Sequence, residues 1–270
     1  MNATGELGTV QFQKWLDNCS MLKSKLIIFV AALVSFQSSA EEAEKAPPPT
    51  EVALQQVTVT GSPLQPFKPY RAMFPGLKAY ARLQATLGPQ SQLRFRISKK
   101  DEADSSFPPS ASVKVSLRGP ETSTVLALDA DSRFELPLSQ SLYDEDFDII
   151  LNQQTQAYGW MLDVRSPNVP QNARRLGDIR LECSVFTEVL KVDMGFAART
   201  AINVLTLGGD ICAVKVGSFA FTAPQKLASA RIVDGEKMKV LKTWGTSFEV
   251  PVADKSWSNE ALIEFEFATP

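Results

Sequence analysis

The same series of short strand patterns occurs twice in this chain, and that repetition limits the folds available to it. In each copy a strand is followed by a glycine turn, a second strand, a Phe-Glu-aliphatic-Pro-aliphatic segment, a loop and a last strand. The first copy occupies 113–151 and the second 228–267. Strict alternation of apolar and polar residues is typical of antiparallel strands with one buried face. We therefore predict an internal duplication, with Pro137 and Pro251 at a sheet edge or at the end of a strand.

The strands of the first half are spaced as in an antiparallel sandwich. Its candidate strands are 79–87, 92–98, 112–117, 125–128, 133–138, 147–151 and 159–164. A helix is an alternative for the first of these, because Leu77, Tyr80 and Ala81 also fit one helix face.

The segment between the two halves is apolar with little alternation. Its apolar residues fit helical spacing toward the end, and Gly208–Gly209 supplies a stop signal. We predict a helix near 193–206, and a strand over 181–192 before it is equally compatible with the pattern. The predicted fold is mainly β, with two tandem antiparallel β-sandwich domains of Ig or transthyretin-like type, at 76–168 and 169–270, and one short connecting helix.

A family resemblance lies in the segment Leu128–Pro137. It resembles the carboxypeptidase regulatory-like, transthyretin-related sandwich, in which a strand, a polar turn and a Phe-aliphatic strand lead to an extended loop. Ser132 and Arg133 stand where that family commonly has a turn glycine. The resemblance implies a non-catalytic accessory module and transfers no catalytic residue.

Residues 1–40 have the plan of a secretory signal peptide. A short basic segment after Met21 precedes the apolar run Leu26–Phe36, and small residues end at Ala40. Met21 is an alternative start for this signal. A membrane anchor is the rival interpretation, but the run is short for the ~30 Å of a bilayer core. We expect cleavage after Ala40, no stable membrane span afterwards, and a periplasmic or secreted location in the style of Gram-negative bacteria.

Residues 41–75 are predicted to be a flexible, proline-rich tether followed by a first strand. The strand pattern at Val57–Gly61 resembles the TonB box of outer-membrane receptors, which pairs with its partner by strand addition. The alternative, which we favour, is an ordinary first strand of the following sandwich. Pro63–Pro75 carries four prolines and is predicted to be extended rather than helical.

Composition excludes several classes of function. The 270 residues contain no histidine, which removes the commonest general base and the usual zinc ligand. A net charge of −2 with mixed signs gives no basic face for nucleic acid. No glycine-rich loop opens a helix, so nucleotide binding has no support. We expect no enzyme activity and no cofactor.

Two cysteines remain after removal of the signal peptide, Cys183 and Cys212. Exported proteins mature in oxidising compartments, and two cysteines without histidine make a poor zinc shell. We therefore predict a disulfide between them.

Two further groups of residues are candidate ligand sites. Trp160, Trp244 and Trp257 would form a stacking platform for a sugar or peptide if they converged, although Trp160 also fits a core position. An acidic group offers oxygen ligands for calcium, but its spacing fits no EF-hand loop and solvated turns are the simpler interpretation. Its members are Asp129, Asp131, Asp144, Glu145, Asp146 and Asp148.

The function predicted from these observations is an exported, non-catalytic binding or structural protein whose partner is a protein or an envelope component. The alternatives are a carbohydrate-binding protein, a carboxylate-dependent enzyme such as a glycosidase, and a TonB-linked outer-membrane accessory.

Overall fold

The protein is mainly β in the part of the chain that the structure describes. The computed structural model describes residues 66–99, 113–153, 155–206, 210–214 and 219–269. Of these residues 36% lie in strands and 31% in helices, and the strands form four antiparallel sheets. All of them belong to one compact unit, Leu54–Pro270. The predicted signal peptide and the strand at Val57–Gly61 lie outside the described residues.

Within the described ranges, fourteen strands and four α-helices follow one another along the chain. The strands are β1 Pro66–Pro69, β2 Gln92–Lys99, β3 Val115–Arg118, β4 Ser123–Leu126, β5 Arg133–Phe134, β6 Asp148–Leu151, β7 Tyr158–Arg165, β8 Ala173–Arg175, β9 Phe219–Thr222, β10 Leu227–Asp234, β11 Lys237–Leu241, β12 Thr243–Trp244, β13 Ser247–Val250 and β14 Leu262–Phe267. The helices are α1 Tyr70–Leu87, α2 Gln140–Asp144, α3 Leu176–Asp193 and α4 Phe196–Leu205.

The four-stranded sheets of the two halves share one strand order. The first half has sheets β1-β6-β3-β4 and β5-β2-β7, and the second has sheets β8-β14-β10-β11 and β12-β13-β9. In both four-stranded sheets, a hairpin (β3-β4 or β10-β11) pairs with a strand that comes later in the chain (β6 or β14), which in turn pairs with a short first strand. That first strand leads directly into an 18-residue helix, α1 or α3. The repeat indicated by the sequence is therefore longer than its strand pattern, because each copy begins with a strand and a helix.

The register of the two hairpin sheets also corresponds. Val115 lies opposite Leu126 on one side and Leu151 on the other, as Ala230 lies opposite Leu241 and Phe265. All six are buried. The strand that includes Phe248 ends at Val250, immediately before Pro251, as predicted, whereas β5 already ends at Phe134, before Pro137.

Helix α1 corrects two predictions. Residues 79–87 are helical rather than a strand, so the helical alternative was the right one, and the extended segment predicted up to Pro75 ends at Pro69. Apolar residues at i, i+3, i+4 and i+7 form one buried face of this helix, made of Tyr70, Met73, Phe74 and Leu77. Pro75 lies within the second turn and removes one backbone donor. Burial of that face outweighs the lost hydrogen bond.

Helix α3 excludes the alternative of a strand over 181–192 and corrects the prediction of a single short connecting helix. It packs antiparallel against α1, with almost no space between the two backbones. A Cβ on Gly76 would lie 2.5 Å from Cγ2 of Val189, and one on Gly177 would lie 2.1 Å from the carbonyl oxygen of Leu87. Only glycine permits this approach, so these two positions fix the distance between the halves.

The predicted helix near 193–206 is present as α4, which begins three residues later than predicted. It is exposed along most of its length: the side chain of Phe196 is 85% exposed, whereas Ile202 is buried.

The main hydrophobic core lies in the first half. Its buried side chains come from β2 to β7 and the segments between them, from α1 and α2, and from Leu181, Val185 and Val189 of α3. Because α3 belongs to the second copy, the two copies share this core.

Candidate functional site

Among the residues that the structure describes, strand β11 is an edge of its sheet, since it pairs with β10 on one side and ends the strand order on the other. The hairpin turns at Gly235, whose φ is +63°, and Asp234 faces Lys237 across the turn. In a two-residue hairpin this closing pair is hydrogen-bonded, and alternate residues point their backbone groups away from the partner strand. Met238 and Val240 are those residues. We call the outward-facing side of Lys237–Leu241 the β11 edge.

The side chains along the β11 edge are unusually exposed for apolar residues. Met238 is 59% exposed and Val240 is 70% exposed, and both lie on the same face of the strand. Trp244, three residues beyond the strand, is 48% exposed. Contiguous exposed apolar side chains typically mark interaction surfaces.

Lys237 and Lys239 alternate with these apolar residues, and Lys242 follows the strand. Lys237 donates from Nζ to the carbonyl oxygen and hydroxyl of Ser256, and its Nζ lies 3.8 Å from the ring centroid of Trp257. Lys239 projects from the opposite face of the strand to Met238 and is exposed. Lys242 Nζ lies 5.7 Å from the ring centroid of Trp244. Residues 236–242 contain three lysines and one acidic residue, Glu236, so this segment is basic.

The three tryptophans of the predicted platform lie on different elements. Trp160, on β7, packs against Phe95 and Phe186 with ring centroids 6.4 Å from each. Trp257 is buried in the loop before β14, with Lys237 over its ring, and Trp244 lies on β12. Each ring therefore has its own neighbours, and the shared platform stays a prediction.

The predicted disulfide is present. Cys183 Sγ and Cys212 Sγ are 2.08 Å apart, with the two Cα atoms separated by 6.0 Å. The bond joins α3 to the short helical turn that follows α4.

A cleft of about 390 Å³ lies beside the disulfide. Arg180 of α3 is in its wall and donates to the carbonyl oxygens of Val252, Asp254 and Trp257 and to Oδ1 of Asn259. Burial lowers the pKa of Arg180. Because this guanidinium already holds the loop before β14 in place, its role is structural.

A serine and a carboxylate also meet in this cleft. Ser184 donates to Asp210 Oδ2, and Asp210 Oδ1 accepts from the backbone N–H of Cys212. Asp210 thus caps the helical turn that carries the disulfide. Ser184 adjoins Cys183 and Asp210 lies two residues before Cys212, so this hydrogen bond joins the same two segments as the disulfide.

Three of the six residues in the acidic group considered as a calcium site form ion pairs with arginines. Asp129 accepts from Arg94 at 3.0 Å and from Arg133 at 2.8 Å, and it also accepts from the backbone of its own turn. Asp131 pairs with Arg133, and Asp146 pairs with Arg71. Among the described residues, no cluster of acidic or cysteine side chains has the arrangement of a metal site.

Sequence reasoning missed a buried group of charged residues between β7, β8 and α3. Arg174 is buried and pairs with Glu182 at 2.7 Å. Asp163, also buried, accepts from Arg165 at 2.8 Å and from Arg133 at 3.1 Å. Burial raises the pKa of Asp163, yet the attraction of Arg165, Arg174 and Arg96 together is larger and holds that pKa well below its usual range. The signal that could have indicated this group is the spacing of Asp178 and Glu182, which share one face of a helix.

Comparison with known proteins finds no relative: the chain matches no protein-family model, no curated protein and no solved structure. In the part of the chain that is described, no helix combines the length and apolar character that a bilayer crossing requires.

Proposed function

We propose that this is an exported, non-catalytic binding protein that works in the periplasm or outside the cell and contacts a protein or another envelope component. The observation that carries the proposal is the bond between Cys183 and Cys212. Disulfides form and persist in oxidising compartments, which agrees with the export pattern of residues 1–40. The exposed apolar side chains of the β11 edge support the binding role.

The test determines where the chain is located, and whether it is cleaved and oxidised, in a Gram-negative host. Intact-mass measurement of the protein from the periplasmic or secreted fraction is expected to give a chain beginning at Glu41, with both cysteines resistant to alkylation until they are reduced. A Val30→Arg variant interrupts the apolar run of the leader and is the matched control, expected to stay in the cytoplasm uncleaved. A wild-type chain that stays in the cytoplasm with Met21–Ala40 attached, or that carries two free thiols, would contradict the proposal.

We also propose that each half derives from a transthyretin-related sandwich, extended by its own helix. The shared strand order and register support a common unit. In the second half, the rings of Phe248 on β13 and Phe265 on β14 lie 4.8 Å apart, so its two sheets contact through their aromatic side chains. An experimental structure in which the two sheets of either half do not pack face to face would contradict this interpretation.

A further inference from the structure

We propose that the β11 edge takes up, by strand addition, an extended segment of a partner protein in which acidic residues alternate with aliphatic ones. This rests on the proposed binding function and names its surface and the chemistry of its partner.

The backbone supplies the first argument. Met238 and Val240 direct their N–H and C=O groups away from β10, because the hairpin register makes Asp234–Lys237 and Ile232–Lys239 the hydrogen-bonded pairs. An added strand would pair with those two residues and continue the sheet β8-β14-β10-β11 by one strand. Such backbone pairing gives affinity without requiring a pocket.

The side chains supply the second argument, because they set the sequence of the added strand. Met238 and Val240 expose apolar groups on one face of the sheet, whereas Lys239 projects from the other. Neighbouring residues in adjacent strands share a face. An incoming strand would therefore place aliphatic residues beside Met238 and Val240 and an acidic residue beside Lys239.

Charge also selects among the occupants. A second copy of this chain would bring its own lysines against Lys239 and Lys242, and like charges in adjacent strands destabilise the pairing. An acidic segment neutralises them instead.

The corresponding edge in the first half provides an internal comparison. β4 occupies the position of β11 in its sheet, and Val125 lies opposite Ser116 as Val240 lies opposite Arg231. β4 carries no lysine, however, and reads Ser-Thr-Val-Leu. The basic character is thus particular to the second half, and β4 offers matched control positions.

The experiment measures peptide binding to the full chain by fluorescence anisotropy. The probe is a labelled peptide of about nine residues in which valine alternates with glutamate, long enough for a strand of typical length. A peptide alternating valine with lysine is the sequence control. The glutamate peptide is expected to bind at least about tenfold more tightly than the lysine peptide, and less tightly at high salt because screening shortens the reach of the charges. Hydrogen exchange at Met238 and Val240 is expected to slow when it binds.

Two variants separate the backbone and charge contributions. Val240→Pro removes a backbone donor from the β11 edge and is expected to weaken binding at least about tenfold, whereas Val125→Pro on β4 is expected to leave it unchanged. Lys239→Glu replaces an exposed side chain without altering the backbone. This substitution is expected to weaken binding of the glutamate peptide by up to about fivefold and to strengthen binding of the lysine peptide. It keeps the test valid if a proline variant fails to fold.

Equal binding of the two peptides, no slowing of exchange at Met238 and Val240, or an equal effect of Val125→Pro in a folded chain would overturn the proposal. A dimer of the full chain that becomes more stable with Lys239→Glu would also overturn the proposal. The strand bound at the β11 edge would then belong to a second molecule of this protein. The localisation test above is independent of these results. A cytoplasmic chain that binds the glutamate peptide would refute export but would still support strand addition at the β11 edge.

Discussion

Glu182 of α3 accepts a hydrogen bond of 2.9 Å from the backbone N–H of Val164 on strand β7. β7 is an edge of its sheet, and Arg174 donates to the carbonyl oxygen of the same residue at 3.1 Å. Four residues earlier on α3, Asp178 accepts from the N–H of Ser166 at 2.7 Å. Two acids one helical turn apart thus accept from two N–H groups, those of Val164 and Ser166, which point to the same side of the extended chain. The side chains of Asp178, Glu182 and Arg174 thus bind the outer edge of β7 as a neighbouring strand would. Residues of the second half therefore cover the edge of a sheet in the first half.

Removing the charge of Glu182 is expected to destabilise the fold strongly. In Glu182→Gln an amide oxygen can still accept from Val164, but the buried Arg174 loses the carboxylate that is hydrogen-bonded to it. Breaking one side of a buried pair costs about 3–5 kcal/mol. Urea unfolding followed by circular dichroism measures this. Glu260→Gln is the matched control: it also faces an arginine, Arg175, but its side chain is 76% exposed, so less than about 1 kcal/mol is expected. Equal losses in the two variants would contradict the prediction.

Acid is expected to remove the contribution of Asp163. Its pKa is depressed in the folded state, because three arginines outweigh the effect of burial, and it is about 3.9 in the unfolded chain. The stabilisation is therefore fully present above about pH 4 and is lost as the pH falls below that value. Asp163→Asn is expected to be about 3 kcal/mol less stable than wild type at pH 7, with the gap narrowing below pH 4. Urea midpoints across that range measure the gap, and a gap independent of pH would be inconsistent with this account.

The disulfide is expected to contribute about 3–4 kcal/mol, because it closes a loop across a sequence separation of 29 residues. The double variant Cys183→Ala/Cys212→Ala should lower the free energy of unfolding by that amount. A reducing agent should destabilise the wild type to the same extent and leave the variant unaffected. An unchanged urea midpoint for the variant would show that the bond adds nothing to stability.

Gly76→Ala is expected to destabilise the packing of α1 on α3 by about 1–3 kcal/mol. Alanine favours a helix by about 1 kcal/mol over glycine, but its Cβ would lie 2.5 Å from Val189 Cγ2, so the steric effect decides the sign. Gly159→Ala is the control, since its new Cβ would meet only Ser98 Oγ, at 3.6 Å. Thermal unfolding compares the two. A stabilised Gly76→Ala protein would mean that the helices can separate at little cost.

The sequence predicts the strands better than the helices, and the reason is visible in single residues. β3 and β10 alternate because one face of each is buried, as with Leu117 and Ile232. α3 was not predicted because its buried side includes Asp178 and Glu182, so its apolar pattern is interrupted by charges whose partners lie outside the helix. No local rule identifies Arg174 as the partner of a residue on a neighbouring helix.

The candidate sites also differ in whether local sequence could predict them. The disulfide followed from counting cysteines and from the export pattern, both of which are local properties of the chain. The exposure of Met238 and Val240 did not, because an apolar residue at an alternating position of a strand is predicted to be buried. Only the strand order shows that β11 has no neighbour on its outer side among the described residues.

The bond between Cys183 and Cys212 spans the exposed helix α4, and this determines how the chain responds to cleavage. A protease that cuts between Phe196 and Val204 severs the backbone, but the two fragments remain one covalent molecule. Under oxidising conditions a nicked protein would gain the mass of one water, run as a single species and keep both copies of the repeat together. Reduction would then remove the covalent link between the two fragments, so a cut made under oxidising conditions would divide the molecule only after it met a thiol.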